Sequence, residues 1–232
     1  MPFAIVDRET APRGFGAIFR QPRRGPEQKL VEAFLCEQPF SVPRGCNATV
    51  FCEPRIESGF PDLVVVMWDP AVAARWVPAR AELTRQDIQL VHYLHQTGPL
   101  SSRDLRERFS RPIGSSLSRL EAAELIYLAS DLWKPQPLNR VFAARHILAI
   151  EAKISEWARA LRQAFQNTWF ASDSFVLLPK AKSHADIRSA ARPLGIKLCA
   201  PGQPLAYKQR ASAPRSYVSW LFNEWAWRLA QL

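Results

Sequence analysis

The segment His146-Ile147-Leu148-Ala149-Ile150-Glu151-Ala152-Lys153 decides how this chain is read. Its apolar run, expected to form a strand over 146–154, is continuous rather than alternating, the pattern of a strand covered on both faces. Side chains alternate across a strand, so Glu151 and Lys153 are expected on one side and Ala152 on the other. Charges at the end of a buried strand are costly unless they meet partners. A second run of the same kind, Leu63-Val64-Val65-Val66-Met67, follows Gly59-Phe60-Pro61-Asp62, and Asp62 is the natural partner if the two strands pair.

Downstream of Lys153 the pattern alternates: helix 155–170, strand 174–178, helix 183–193, strand 196–200. A β-α-β-α-β order with short connections predicts an α/β fold, a mixed sheet flanked by helices. Upstream, Leu30, Val31, Phe34 and Leu35 space a helix over 27–35, and 48–52 reads as a strand. Residues 1–26 hold four prolines and three glycines together with Arg20, Arg23 and Arg24, and are expected to be a flexible basic arm.

From Thr84 to Pro135 the apolar period becomes helical. Thr84 caps an expected helix through Gln96, stopped by Gly98-Pro99. A second helix runs from Ser101 or Ser102 to Phe109, a third from Gly114 to Glu124, and β-like sequence follows through Trp133. Three short helices before a hairpin describe a winged helix-turn-helix. The chain therefore divides into the arm, an α/β domain made of 27–80 and 138–232, and a winged-helix insertion over 81–137. In the last stretch, 217–232, Trp220, Phe222, Trp225 and Trp227 predict a helix docked on the core.

Thirty-one Lys and Arg exceed 21 Asp and Glu, a formal net charge of +10. A polyanionic partner is expected, because neutralising phosphates releases counterions. Between 180 and 215 eight basic residues face one acid, Asp186. No apolar stretch is long enough to cross a bilayer, and Met1–Thr10 lacks the apolar core of a secretory leader. A soluble cytoplasmic protein without a membrane partner is expected. Cys36, Cys46, Cys52 and Cys199 show no zinc spacing and are expected to be buried reduced thiols. His92 and His95 lie three apart without a convincing third ligand nearby, which favours a structural or surface role.

Two carboxylates, Asp62 and Glu151, and the Ala152 carbonyl make a hard oxygen site of the kind Mg²⁺ accepts. A metal there lowers the pKa of a bound water and offsets charge on a phosphate, and Lys153 can orient the water or stabilise the transition state. Pro61-Asp62, Ile150-Glu151-Ala152-Lys153, the helix bearing Trp157, Ala160, Leu161, Gln163 and Ala164, and the strand before Pro179 together resemble the PD-(D/E)xK nuclease superfamily of restriction-endonuclease-like folds. The resemblance covers roughly 27–67 and 146–200. It implies that Asp62 and Glu151 are metal ligands for Mg²⁺ or Mn²⁺, that Lys153 is catalytic, that Glu32 is the acid of the first core helix, and that Gln163 assists the site as in the RecB-like branch. Where that branch places a tyrosine four residues after the glutamine, this chain has Asn167.

These strands are usually joined by a short hairpin, so the winged helix is expected to be inserted between two adjacent catalytic strands, where it would present duplex DNA to the metal in few orientations. By resemblance to helix-turn-helix proteins, Ser115, Ser116, Ser118 and Arg119 would face the major groove. Arg103, Arg106, Arg108 and Arg111 would meet phosphates. The implied function is a metal-dependent DNA endonuclease of DNA defence or repair. Relatives that cut both strands as pairs add a homodimer to the expected partners. The alternatives are a non-catalytic DNA-binding regulator or accessory subunit, and a protein that binds or cuts RNA.

Overall fold

In a computed structural model the chain is described over residues 3–12, 15–22, 24–37, 40–109, 112–179, 185–207 and 213–231. In order the elements are β1 (Phe3–Val6), α1 (Pro26–Cys36), β2 (Asn47–Cys52), β3 (Leu63–Trp68), α2 (Pro70–Ala73), a 3₁₀ turn (Pro78–Glu82), α3 (Arg85–Thr97), β4 (Leu100–Ser101), α4 (Ser102–Arg108), α5 (Gly114–Ala122), β5 (Ile126–Ala129), β6 (Leu132–Pro135), α6 (Leu138–Val141), β7 (Ala144–Ala152), α7 (Trp157–Asn167), β8 (Asp173–Leu177), α8 (Ala185–Ala191), a second 3₁₀ turn (Arg192–Leu194), β9 (Ile196–Cys199) and α9 (Tyr217–Ala230). They form two compact units, one of Met1–Trp68 with Ala144–Arg215, the other of Asp69–Ala143 with Ser216–Leu232.

The first unit is α/β. Its sheet has the order β1-β2-β3-β7-β8-β9. The central strands β2, β3 and β7 are antiparallel, whereas β7, β8 and β9 run parallel through helical crossovers. All six residues of β3 and all of β7 but Arg145 are buried, which explains their unbroken apolar sequence. One face packs Leu30 and Phe34 of α1 against Val65, Leu148, Ile150 and Ala152. On the other, Ala160, Leu161 and Ala164 of α7 meet Val176 and Leu178.

The flexible arm is a correction. Phe3–Val6 adds a parallel strand to β2 with Phe3 opposite Ala48, Phe15 and Phe19 are buried, and Phe19 bridges to Pro54. Prolines and glycines marked the turns, but burial of the aromatic residues between them anchors the segment.

The second unit holds α3, α4, α5 and a three-stranded antiparallel sheet of order β4-β6-β5. Thr84 and Ser101 each close a capping box, with Asp87 and Asp104. Gly98 ends α3 at φ 89°, where a side chain would be strained. The β5–β6 turn puts Ser130 and Asp131 both at positive φ, the turn whose twist suits a two-residue hairpin. Asp69 to Ala143 is inserted between β3 and β7, which are neighbours with Trp68 opposite Ala144.

The expected domain limits also differ, because α9 belongs to this second unit rather than to the sheet domain. Arg80 Nε donates to Glu224 of α9 at 3.0 Å, and Arg80 Nη2 donates to the Val141 carbonyl at 2.9 Å. The guanidinium lies 3.4 Å from the Trp76 ring, and Arg228 donates to the carbonyls of Arg80 and Leu83. Trp220, Phe222, Trp225 and Trp227 are buried, consistent with packing rather than base stacking.

Arg80 and Glu224 are 1% and 2% exposed, so removing either strands a buried charge. Glu224→Ala is expected to lower stability by about 3–5 kcal/mol. Thermal and denaturant melts of the full chain check this, and wild-type stability in the variant would contradict it.

Candidate functional site

With Leu63 opposite Ile150, Asp62 comes to the end of β7. Its Oδ2 accepts from the Ala152 N–H at 2.7 Å, a contact across ninety positions. Glu53, directly after β2, joins through its own N–H, which donates to the Asp62 carbonyl at 3.0 Å. The Lys153 ammonium donates to Glu27 of α1 and to the Ala152 carbonyl, both at 3.0 Å. Glu151 is 2% exposed; its Oε1 accepts from Asn167 of α7 at 2.7 Å, and its buried Oε2 has no hydrogen-bond partner.

Burial and mutual repulsion set the charges. Burial, then the Asp62 charge, pushes Glu151 up to about 8, against the Asn167 bond and Lys153. Glu53 is pushed up to about 7 by burial and by Asp62, opposed by Arg20. Burial raises Asp62 as well, although the Ala152 N–H and Lys153 act in the other direction. The Cys52 thiol beside them is driven to about 12 by burial and the neighbouring acids, so it stays protonated.

A cleft of about 440 Å³ opens here. Asp62, Lys153, Gln163 and Glu32 all line it, together with Glu27, Glu53 and Arg20. The Gln163 Oε1 is buried without a hydrogen-bond partner. Asp62 and its neighbouring acids offer the oxygen donors a hard divalent cation takes, whereas Glu151, repelled by two further carboxylates, is not among the residues that line the cleft.

Several expectations are corrected. Lys153 does not share a side with Glu151: β7 ends at Ala152, alternation ceases there, and the ammonium turns to α1 while Glu151 faces α7. The Ala152 carbonyl, an expected metal ligand, accepts one hydrogen bond from Lys153 and keeps a second lone pair. Glu32 is exposed and accepts from Gln28; the helix acid that holds the lysine is Glu27. Sequence reading also missed Asn167, whose one signal was its place one helical turn after Gln163, and Glu53, which belongs to no motif. Among the described residues no three His, Cys, Asp or Glu side chains are gathered at metal-ligand spacing.

In the second unit Arg103, Arg106 and Arg108 are exposed on α4. Arg103 pairs with Glu107 at 3.1 Å, and Arg108 sits 5.7 Å from the Tyr93 ring centroid. Ser115 and Ser118 are exposed, whereas Ser116 is buried, and Arg119 is bound through two nitrogens to Asp87 at 2.8 and 2.9 Å. Asp87 is fully buried and binds both residues, so Ser116 is withdrawn from any groove, while Arg119, about one-third exposed, has two of its nitrogens committed to Asp87. Arg111 lies outside the described residues, as do Lys180, Lys182, Lys208 and Arg210 of the basic 180–215 stretch. Within that stretch Lys197 pairs with Asp173, and Arg215 donates to the Thr168 and Ser172 carbonyls.

Cys199 is buried, Cys46 and Cys52 are half-buried and Cys36 is exposed, which corrects the expectation of four buried thiols, and none of the four forms a disulfide. His95 packs on Trp220 at 4.9 Å, in keeping with a structural role. No described helix is long and apolar enough to cross a membrane. The chain matches no family model, no curated protein and no solved structure.

Glu151 and Glu53 bind protons more tightly folded than unfolded. Their contribution is therefore fully present below the ordinary value of 4.5 and is lost as pH rises through about 7 and 8. The melting temperature is expected to fall from about pH 5 to about pH 8, and Glu151→Gln, neutral throughout, to flatten that fall. An equal slope in wild type and variant would contradict it.

Proposed function

We propose that the protein is a metal-dependent DNA endonuclease of the restriction-endonuclease-like kind, and that its inserted unit is a winged helix engaging duplex DNA. The observation that carries this reading is the bond from Ala152 N–H to Asp62 Oδ2, which joins the acid of Pro61-Asp62 to Glu151-Ala152-Lys153.

Asp62 and Glu151 would hold Mg²⁺ or Mn²⁺, which when bound supplies an acidified water and offsets charge on the phosphate. Asn167 fixes the Glu151 carboxylate by holding one oxygen and leaving the other open. Glu27 holds the Lys153 ammonium at the cleft, ready to donate to a phosphate oxygen. The free Gln163 Oε1 can accept from a water or a substrate group. On the inserted unit the exposed Arg103, Arg106 and Arg108 would meet phosphates, which fix position without reading sequence. Of the α5 serines, Ser115 and Ser118 are exposed, and serines discriminate bases weakly. Duplex DNA rather than RNA is preferred by analogy with winged helices.

One observation favours the alternative, a DNA-binding regulator or accessory subunit that does not cut. The acids Asp62, Glu53 and Glu27 and the Ala152 carbonyl each already accept from a protein donor.

Purified protein is expected to nick or cut duplex DNA with Mg²⁺ or Mn²⁺, and Glu151→Ala or Lys153→Ala to reduce cutting by about a hundredfold or more. Retained cleavage in both folded variants removes the site assignment. Salt-sensitive DNA binding without hydrolysis selects the alternative, and a preference for RNA over duplex DNA sinks the winged-helix analogy. For binding, Arg106→Ala is expected to weaken affinity for all sequences alike and to lower the salt slope by about one. Arg119→Ala should instead cost about 1–3 kcal/mol of stability by stranding Asp87. Fluorescence anisotropy across a salt series, alongside melts, separates the two effects.

A further inference from the structure

Helix α7 carries two arginines, Arg159 and Arg162, and no acid from Trp157 to Asn167. Trp157, Leu161 and Phe165 recur at four-residue spacing and so share one side of the helix. Leu161 is buried with Ala191 and Ile196, yet Trp157 and Phe165 on either side of it are 43% and 51% exposed. Large aromatic groups that recur together in water mark a contact surface. The cations beside them are uncommitted. Elsewhere in this unit Lys153 meets Glu27, Lys197 meets Asp173 and Arg20 meets Glu53. Arg162, Arg188 of α8 and Arg192 are exposed, and among the described residues none of the three has an ion-pair partner. The other edge of α7 belongs to the cleft, which Glu156, Arg159 and Gln163 line. Whatever lies along α7 therefore runs beside the cleft.

Resting on the nuclease reading above for the identity of the strand, we propose that α7 is a platform for unpaired DNA, whose bases stack on Trp157 and Phe165 and whose phosphates meet Arg162 and Arg188. Every base has a π-face, so stacking holds a strand without reading its sequence. Pairing within a duplex hides those faces, and only an unpaired strand presents them to a side chain. Arginine suits the same occupant, because its planar fork grips a phosphate and its flat face lies on a ring. An acidic peptide would meet the arginines but leave the two rings without a flat partner. Since Arg159 is both exposed on α7 and part of the cleft lining, the platform sets an unpaired stretch, such as a tail or a gap, beside the acids.

Fluorescence anisotropy of the full chain with a labelled oligothymidylate tests this without metal or cleavage. Trp157→Ala and Phe165→Ala are each expected to weaken binding about tenfold, whereas Trp157→Phe, which keeps a ring, retains most of the affinity. Arg162→Ala is expected to lower the slope of log affinity against log salt by about 0.7, the value for one phosphate of a single strand. Wild-type affinity in both Trp157→Ala and Phe165→Ala overturns the inference. So does tighter binding of an oligouridylate of the same length, or displacement of the strand by polyglutamate at equal charge concentration. Should circular dichroism show Trp157→Ala unfolded, Phe165→Ala decides. The underlying reading fails separately: strand binding that depends on the two rings, with no metal-dependent cutting of any DNA, ends the nuclease and leaves the platform. Cutting alongside strand binding that ignores both rings ends the platform alone.

Discussion

The antiparallel register of β3 against β7 is the constraint on which the first unit depends. Leu63 opposite Ile150 and Val65 opposite Leu148 put two wholly buried strands side by side at the middle of the sheet. A slip of one residue would move every side chain to the other face. It would also take Asp62 away from the Ala152 N–H, since that bond exists only because the strand begins one residue after the acid. Core packing and the meeting of the acids are thus consequences of one set of main-chain hydrogen bonds.

The two units treat buried charge in opposite ways. In the second, Arg80 and Glu224 satisfy one another, the guanidinium also meets a carbonyl and an indole face, and Asn223 donates to the same carboxylate. Such a cluster fixes where α9 docks. In the first, Glu151 is equally buried but keeps one oxygen without a hydrogen bond, and its neighbours Asp62 and Glu53 repel it. A completed network contributes rigidity, whereas an incomplete one leaves a desolvated carboxylate that holds its proton more tightly.

Much of this was legible before any coordinates. The unbroken apolar runs announced β3 and β7, helical spacing announced α1, α3 and α7, and Asp62 lay one residue ahead of its strand. What escaped was whatever depended on contacts between distant positions. Nothing local in Tyr217–Ala230 indicates that Glu224 meets Arg80, 144 positions earlier. Prolines and glycines concealed the strand Phe3–Val6, because breaker residues describe turns and not the aromatic side chains between them. Lys153 was misread since alternation holds only while a strand lasts, and Ser116 because α5 was judged without Asp87 beneath it. Glu53 carried no signal in its neighbours at all; its place follows from a tertiary bond to the Asp62 carbonyl.

The insertion between β3 and β7 has a thermodynamic corollary. Trp68 and Ala144 are register partners, and Asp69 N–H donates to the Ala143 carbonyl, so the chain leaves and re-enters the sheet through a closed gate. While the inserted unit is folded, it does the work of a tight turn for the central strand pair. Were it to melt, the same pair would have to close a long flexible loop, an entropic burden of roughly 2–3 kcal/mol relative to a short hairpin. Integrity of the segment that separates the acids in sequence is therefore written into how firmly those acids are held together.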